Sequence, residues 1–103
     1  MTPRLIWRES ASDDLLELYN WIAARSDFDT AFSYTQKVEA FANRLVLFPR
    51  RGTPRDEVAG GLRSIVYTGR TIVFYTIAAE DVVEIVRISH GGRDLGTMFS
   101  KHD

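Results

Sequence analysis

The apolar residues of this chain change their repeat once, near residue 49, and that change limits the fold more than any other feature of the sequence. Before it they recur every three or four positions, the period of a helix with one buried side. After residue 61 they gather in short runs rich in β-branched and aromatic residues, which mark strands. A chain that keeps its helical part and its strand part separate is expected to be α+β, with a helical hairpin laid on one face of an antiparallel sheet.

Arg4-Leu5-Ile6-Trp7-Arg8 alternates imperfectly and reads as a short strand. Ser10 and Asp13 have the spacing of a capping box, so a helix is expected to start there. Its apolar face is Ala11, Leu15, Leu18, Tyr19 and Ile22, while Leu16 and Trp21 lie off that stripe and await a partner. The stretch from Arg25 to Asp29 breaks the pattern as a tight turn. A second helix is expected from about Thr30 to Phe48, with Ala31, Tyr34, Val38, Phe41, Ala42, Leu45 and Phe48 on one side. Pro49 ends it, because proline disfavours a helical residue before it.

Residues 50–61 have no period and read as a long loop of the kind that is usually functional. Leu62–Tyr67, Thr71–Ile77 and Val82–Ser89 then read as an antiparallel meander. A turn and tail follow, in which Leu95 and Phe99 are available to cap the core. The order is β-α-α-β-β-β, and the sequence does not say beside which strand the first one inserts. The expected core is Ile6, Leu15, Leu18, Ile22, Val38, Phe41, Leu45, Phe48, Val66, Phe74, Ile85 and Ile88.

The 103 residues fit one domain, 1–103, with a thin core. With 45% apolar and 26% charged residues the chain has the composition of a folded protein rather than a disordered one. It contains no cysteine, which removes disulfides and thiolate chemistry. It has no apolar run long enough for a membrane span or a signal segment, so a cytoplasmic location is expected. The charge is unevenly laid out. Residues 1–29 carry three basic and six acidic side chains, whereas residues 44–70 carry six arginines and two acids. Arginine's planar fork suits phosphates and carboxylates, so the second segment favours an acidic protein partner or a nucleic acid.

Residues suited to catalysis are few. Two histidines, His90 and His102, make no zinc site, and no cofactor or metal is expected. No glycine-rich loop precedes a helix, and neither Ser64 nor Ser89 sits in a nucleophile elbow. One cluster is suggestive: His90 with Arg63, Arg70 and Arg87 on the meander and Arg93 after it. Histidine moves protons near neutral pH and arginine stabilises developing negative charge, a combination able to cleave RNA. The alternative is that His90 opens a turn with its ring bonded to backbone or to Asp94.

Taken in order, several pieces resemble the RelE/ParE toxin superfamily over residues 4–95. They are Ala11-Ser12-Asp13-Asp14-Leu15 leading into Leu18-Tyr19-Asn20-Trp21-Ile22-Ala23; Leu47-Phe48-Pro49 before Arg50-Arg51-Gly52; Gly61-Leu62-Arg63-Ser64; and Val73-Phe74-Tyr75. The last runs from Val83 to Leu95 and ends His90-Gly91-Gly92-Arg93-Asp94-Leu95. That ending is similar to the ParE branch. The resemblance implies a β-α-α-β-β-β toxin of a type II toxin–antitoxin system, a ParD-like antitoxin partner, and inhibition of DNA gyrase by binding, with no sequence-specific DNA contact of its own. On this reading Arg63, Arg87, His90 and Arg93 meet the target, and Leu16, Trp21, Arg50, Arg51 and Arg55 meet the antitoxin. The RelE branch implies instead an mRNA endoribonuclease, with His90, Arg87, Arg63 and Arg70 as its catalytic set. Only two lysines and no tyrosine after Tyr75 count against that branch. An inactive toxin-fold partner or co-repressor is the third possibility.

Overall fold

The structure, a computed structural model, describes residues 4–79, 81–91 and 98–99. Strand β1 (Arg4–Trp7) leads into helices α1 (Glu9–Arg25) and α2 (Phe28–Asn43). Two short 3-10 turns follow, Arg44–Val46 and Pro49–Arg51, and then strands β2 (Thr53–Pro54), β3 (Leu62–Thr68), β4 (Thr71–Ala79) and β5 (Val82–His90). The sheet order is β1-β5-β4-β3-β2. The α+β class and the helical hairpin on the sheet are as expected. The sheet is mixed: β3, β4 and β5 form the antiparallel meander, but β1 runs parallel to β5. Only Arg8 separates β1 from α1, so β1 has to lie beside the strand on which α1 packs, and that strand is β5.

β1 covers only the first half of β5, from Val82 to Ile85. Beyond it the edge of β5 is completed by the start of α1. Arg8 N–H donates to Ile85 O at 2.9 Å, and Ser10 Oγ donates to Val86 O at 2.7 Å. Asp14 Oδ2 accepts from Ile88 N–H at 2.9 Å. Ser10 is therefore not the helix cap that its spacing predicts. The helix begins at Glu9, behind Arg8 in extended conformation and without a side-chain cap, because the sheet edge takes the serine hydroxyl instead. Asp14 also receives Arg87 in a two-pronged pair, Nε to Oδ2 at 2.7 Å and Nη2 to Oδ1 at 2.8 Å.

α2 starts two residues before the expected Thr30, capped by Asp27, whose Oδ1 accepts Thr30 N–H at 2.7 Å. It ends at Asn43 rather than Phe48. The chain then tightens to three residues per turn, which changes the side on which later residues fall. Leu45 remains buried, but Phe48 is 65% exposed.

The main core lies between the hairpin and the sheet, built from Ala11, Val38, Ala42, Leu45, Val73, Tyr75, Val83, Ile85 and Ile88. A smaller one, Leu62, Phe74 and Val86, lies on the other face under Val58, Ala59 and Phe99. A bulge at Val86 shifts the register from Phe74↔Arg87 to Tyr75↔Ile85. It lets Ile85 and Ile88, three residues apart, face the helices together. Of the expected core, Leu18, Val38, Leu45, Phe74, Ile85 and Ile88 are buried, and Leu15, Ile22 and Phe41 are half-buried. Ile6 (37%) and Val66 (54%) join Phe48 as exposed. Ile6 alternates with the inward Leu5 and Trp7 on an edge strand, and Val66 lies on the second face beyond the reach of Val58 and Ala59.

The long loop is ordered from below. The Tyr75 hydroxyl donates to Pro49 O at 2.7 Å and accepts Gly52 N–H at 2.9 Å. Burial of that hydroxyl pushes its pKa up. Arg63 Nη1 donates to Arg50 O at 3.1 Å and Gly52 O at 2.7 Å. A Cβ on Gly52 would come within 2.8 Å of the Tyr75 ring, so the close approach requires glycine. Residues 53–54, expected in the loop, instead pair with β3.

Two stability outcomes follow from this packing. Phe74→Ala should cost about 3–5 kcal/mol in denaturant unfolding, and Phe41→Ala about half as much because its ring is only half-buried. Asp14→Ala should cost about 3 kcal/mol, since it strands the Arg87 guanidinium and the Ile88 amide together. An unfolding midpoint unchanged by Asp14→Ala would refute the role given to that carboxylate.

Candidate functional site

His90 closes β5 opposite Thr71, the first residue of β4. The register thus brings the imidazole Nδ1 within 2.9 Å of Thr71 Oγ1. Thr71 is fully buried, and its hydroxyl also meets Tyr34 Oη at 2.6 Å. Tyr34 Oη reaches Thr68 Oγ1 at 2.9 Å in turn. Three hydroxyls and a ring nitrogen form one chain, in which the direction of the Thr71–His90 bond follows the histidine tautomer. The ring is held edge-on by Trp21 of α1, with centroids 5.1 Å apart, and by Tyr34 of α2 at 6.4 Å. Burial first, and then the nearby charge of Arg70, lower the His90 pKa below its ordinary 6.5. Both effects favour the neutral imidazole.

Beside the ring lies an open cavity of about 420 Å³, lined by Asp14, Glu17, Leu18, Trp21, Arg70, His90 and Gly91. Arg70 sits in the β3–β4 turn. It is tied to Gly91 by the Gly91 N–H to Arg70 O bond at 3.1 Å and by Nη2 to Gly91 O at 3.4 Å. Gly91 has φ +80°, a conformation that side chains other than glycine's rarely adopt. On the outer rim the Arg25 guanidinium lies 4.2 Å above the Trp21 ring. The cavity combines an aromatic wall, a neutral imidazole, a guanidinium and carboxylates. It can receive a polar side chain or a small polar group.

The residues picked out in the sequence are divided by the fold. His90 and Arg70 share the cavity. Arg87 is near, but its guanidinium is held by Asp14 and by Met98 O at 2.8 Å. The ring partner is Thr71. Arg63 lies on β3, two strands from β5, in register with Tyr75, which is four β4 residues from Thr71, the partner of His90, or roughly 13 Å along the strand. Its guanidinium is held by loop carbonyls. Arg93 and Asp94 fall outside the described residues.

Leu16 (60% exposed) and Trp21 (46%) point to different sides of α1. Leu16 lines a groove between the helices with Trp7, Leu15, Tyr19, Phe32 and Glu39, whereas Trp21 lines the histidine cavity. Arg50 and Arg51 are exposed on the second 3-10 turn. Arg55 is taken up by Ser64 Oγ at 2.9 Å and Glu57 at 3.7 Å. Sequence reading passed over Phe32 and Phe28, 56% and 71% exposed. Phe32 was detectable, because it falls off the α2 stripe as Leu16 does off that of α1. Among the described residues no helix is long and apolar enough to cross a membrane.

A histidine with a lowered folded pKa binds fewer protons than in the unfolded chain, so stability falls as pH drops through the ordinary histidine range. His90→Gln should flatten the melting temperature between pH 7.5 and pH 5.5 relative to the parent. An equal slope in both proteins would show that the folded site does not disfavour the charged ring.

The chain resembles known proteins over nearly all its length. The family described as the ParE toxin of type II toxin-antitoxin system, parDE, matches residues 5–95. Toxin ParE1 of Mycobacterium tuberculosis is 26% identical over 95 residues, covering 92% of this chain and 96% of that protein. Toxin ParE3 of Caulobacter vibrioides is 29% identical over 98 residues, covering 95% and 96%. A solved structure, "Chromosomal ParDE TA system from P. aeruginosa", superposes with a TM-score of 0.75 at 18% identity, over 87% of this chain and 97% of that one. With the fold and the match both spanning the hairpin, the meander and the strand that ends at His90, this chain belongs to the ParE family of type II toxin–antitoxin toxins.

Proposed function

We propose that this toxin acts in the cytoplasm by binding DNA gyrase, with no covalent chemistry of its own, and that a ParD-like antitoxin neutralises it. The observation that carries the choice between binding and catalysis is the separation of the charged set. Arg63 lies two strands from His90 and about 13 Å along the strand direction, and both it and Arg87 are engaged in holding backbone and Asp14. A phosphodiester cleaving site needs its cations converging on one phosphate. The proposed target contact is the His90 end of the sheet, with Arg70 at its rim; Arg63 and Arg87 support the frame. The antitoxin is proposed to bury Leu16 in the interhelical groove, with Trp21, Arg50, Arg51 and Arg55 as its further contacts.

The ribonuclease reading keeps one observation in its favour, the shared cavity of His90 and Arg70. Expression without antitoxin separates the two. Gyrase poisoning should give filamentous cells, an induced DNA-damage response and trapped DNA breaks, with mRNA intact. Purified toxin should inhibit supercoiling by gyrase, and His90→Ala should change that inhibition by less than about ten-fold, whereas loss of a general acid or base costs about a hundred-fold or more. RNA cleavage by the purified protein, abolished by His90→Ala in a folded variant, would overturn the gyrase reading. Harmless expression would leave the inactive-partner reading.

A further inference from the structure

The eight residues Arg44–Arg51, between α2 and β2, send Leu45 into the core and turn most of their other side chains to a surface away from the histidine cavity. Leu47 and Phe48 are 62% and 65% exposed, next to each other at the join of the two 3-10 turns, which pack together. Arg44, Arg50 and Arg51 are exposed, and none has a carboxylate within 4.0 Å among the described residues. The backbone beneath is held unusually firmly: Leu45 is in the core, the Tyr75 hydroxyl takes Pro49 and Gly52, and Arg63 takes Arg50 and Gly52. Scattered apolar side chains at a surface need no explanation. Two bulky ones among three arginines that have no carboxylate partner among the described residues, on a backbone fixed from below, form a preorganised patch of the kind found at protein interfaces.

The composition chooses the partner. A phosphate backbone is met by cations and amides and has no use for an exposed leucine and phenylalanine. A protein segment mixing carboxylates with apolar side chains uses both halves of the patch, and arginine pairs carboxylates through two parallel hydrogen bonds. The patch also continues the interhelical groove. Trp7 and Glu39 line that groove, and Trp7 Nε1 donates to Asn43 Oδ1 at 2.8 Å, one residue before Arg44.

Resting on the reading that an antitoxin neutralises this toxin, we propose that Arg44, Leu47 and Phe48 join Arg50 and Arg51 in one docking surface, distinct from the interhelical groove, that takes an acidic, apolar stretch of the antitoxin. That stretch is continuous with the one in the groove. Its carboxylates meet Arg44, Arg50 and Arg51, and an apolar side chain covers Leu47 and Phe48. Arg55, already engaged by Ser64 and Glu57, lies outside this surface.

The test is calorimetric binding of the full-length toxin to the purified product of the adjacent open reading frame, at low and high salt. Phe48→Ser and the double variant Arg50→Glu, Arg51→Glu should each weaken binding at least ten-fold, and the double variant should also lose much of the salt dependence. Melting temperatures should stay near the parent's because these side chains are exposed, and growth arrest without the antitoxin should persist. Affinity within two-fold of the parent in both variants would overturn the proposal. So would loss of growth arrest at unchanged affinity, which would give the segment to the target, or loss of binding to a DNA duplex at unchanged affinity, which would give it to nucleic acid. If the parent toxin does not bind that product at all, the underlying antitoxin reading fails, and this surface with it.

Discussion

The carboxylate of Asp14 holds the two halves of this molecule together. The strand β1 is four residues long and leaves the second half of β5 without a strand on that edge. An open, buried strand edge carries unpaired amides and carbonyls, each costing about 1–3 kcal/mol when left without a partner. Here the first turns of α1 take over the missing strand's work. Asp14 accepts the Ile88 amide and at the same time receives Arg87, which also holds Met98. The Asp14–Arg87 pair thus joins α1, β5 and the described part of the tail. A carboxylate that is only 6% exposed would be a severe cost if unpaired, and its donors offset that cost.

Arginine in this chain serves two purposes that look alike in sequence. Arg63 and Arg87 have their guanidiniums turned onto backbone carbonyls and a buried carboxylate, so they act as struts. Arg44, Arg50 and Arg51 carry the same charge on an exposed surface with no partner among the described residues. The struts make the surface usable. The loop from Pro49 to Gly52 is fixed by Tyr75 and Arg63, and a rigid backbone lowers the ordering cost of whatever binds it. Gly52 is part of the same device, since any side chain there would displace the tyrosine.

The histidine site illustrates why fold and activity separate within a family that shares one architecture. His90 is wedged between Trp21 and Tyr34 and bonded to Thr71, and its surroundings favour the neutral ring. Those features make a well-shaped pocket at the end of the sheet. Of the arginines that would turn it into a phosphate-cleaving site, Arg70 lines the cavity, whereas Arg63 is two strands away and Arg87 is locked to Asp14.

Much of this was written in the linear sequence. The change from a helical repeat to strand-like runs determined the α+β class, the element order and most of the core, because both periodicities are local consequences of backbone geometry. Off-stripe Leu16 marked an exposed position by the same logic. What local pattern could not supply was anything that depends on residues far apart in sequence. The parallel seat of β1 beside β5, Ser10 turned from helix cap to edge donor, the bulge that puts Ile85 and Ile88 on one face, and the contact of His90 with Thr71 rather than Asp94 all join residues 19 to 78 positions apart or a register set by them. So does the sorting of the arginines. A guanidinium's partner is whatever the folded chain places within about 3 Å of it. Its sequence neighbours carry no record of that choice, so only the tertiary structure could tell the struts from the free cations.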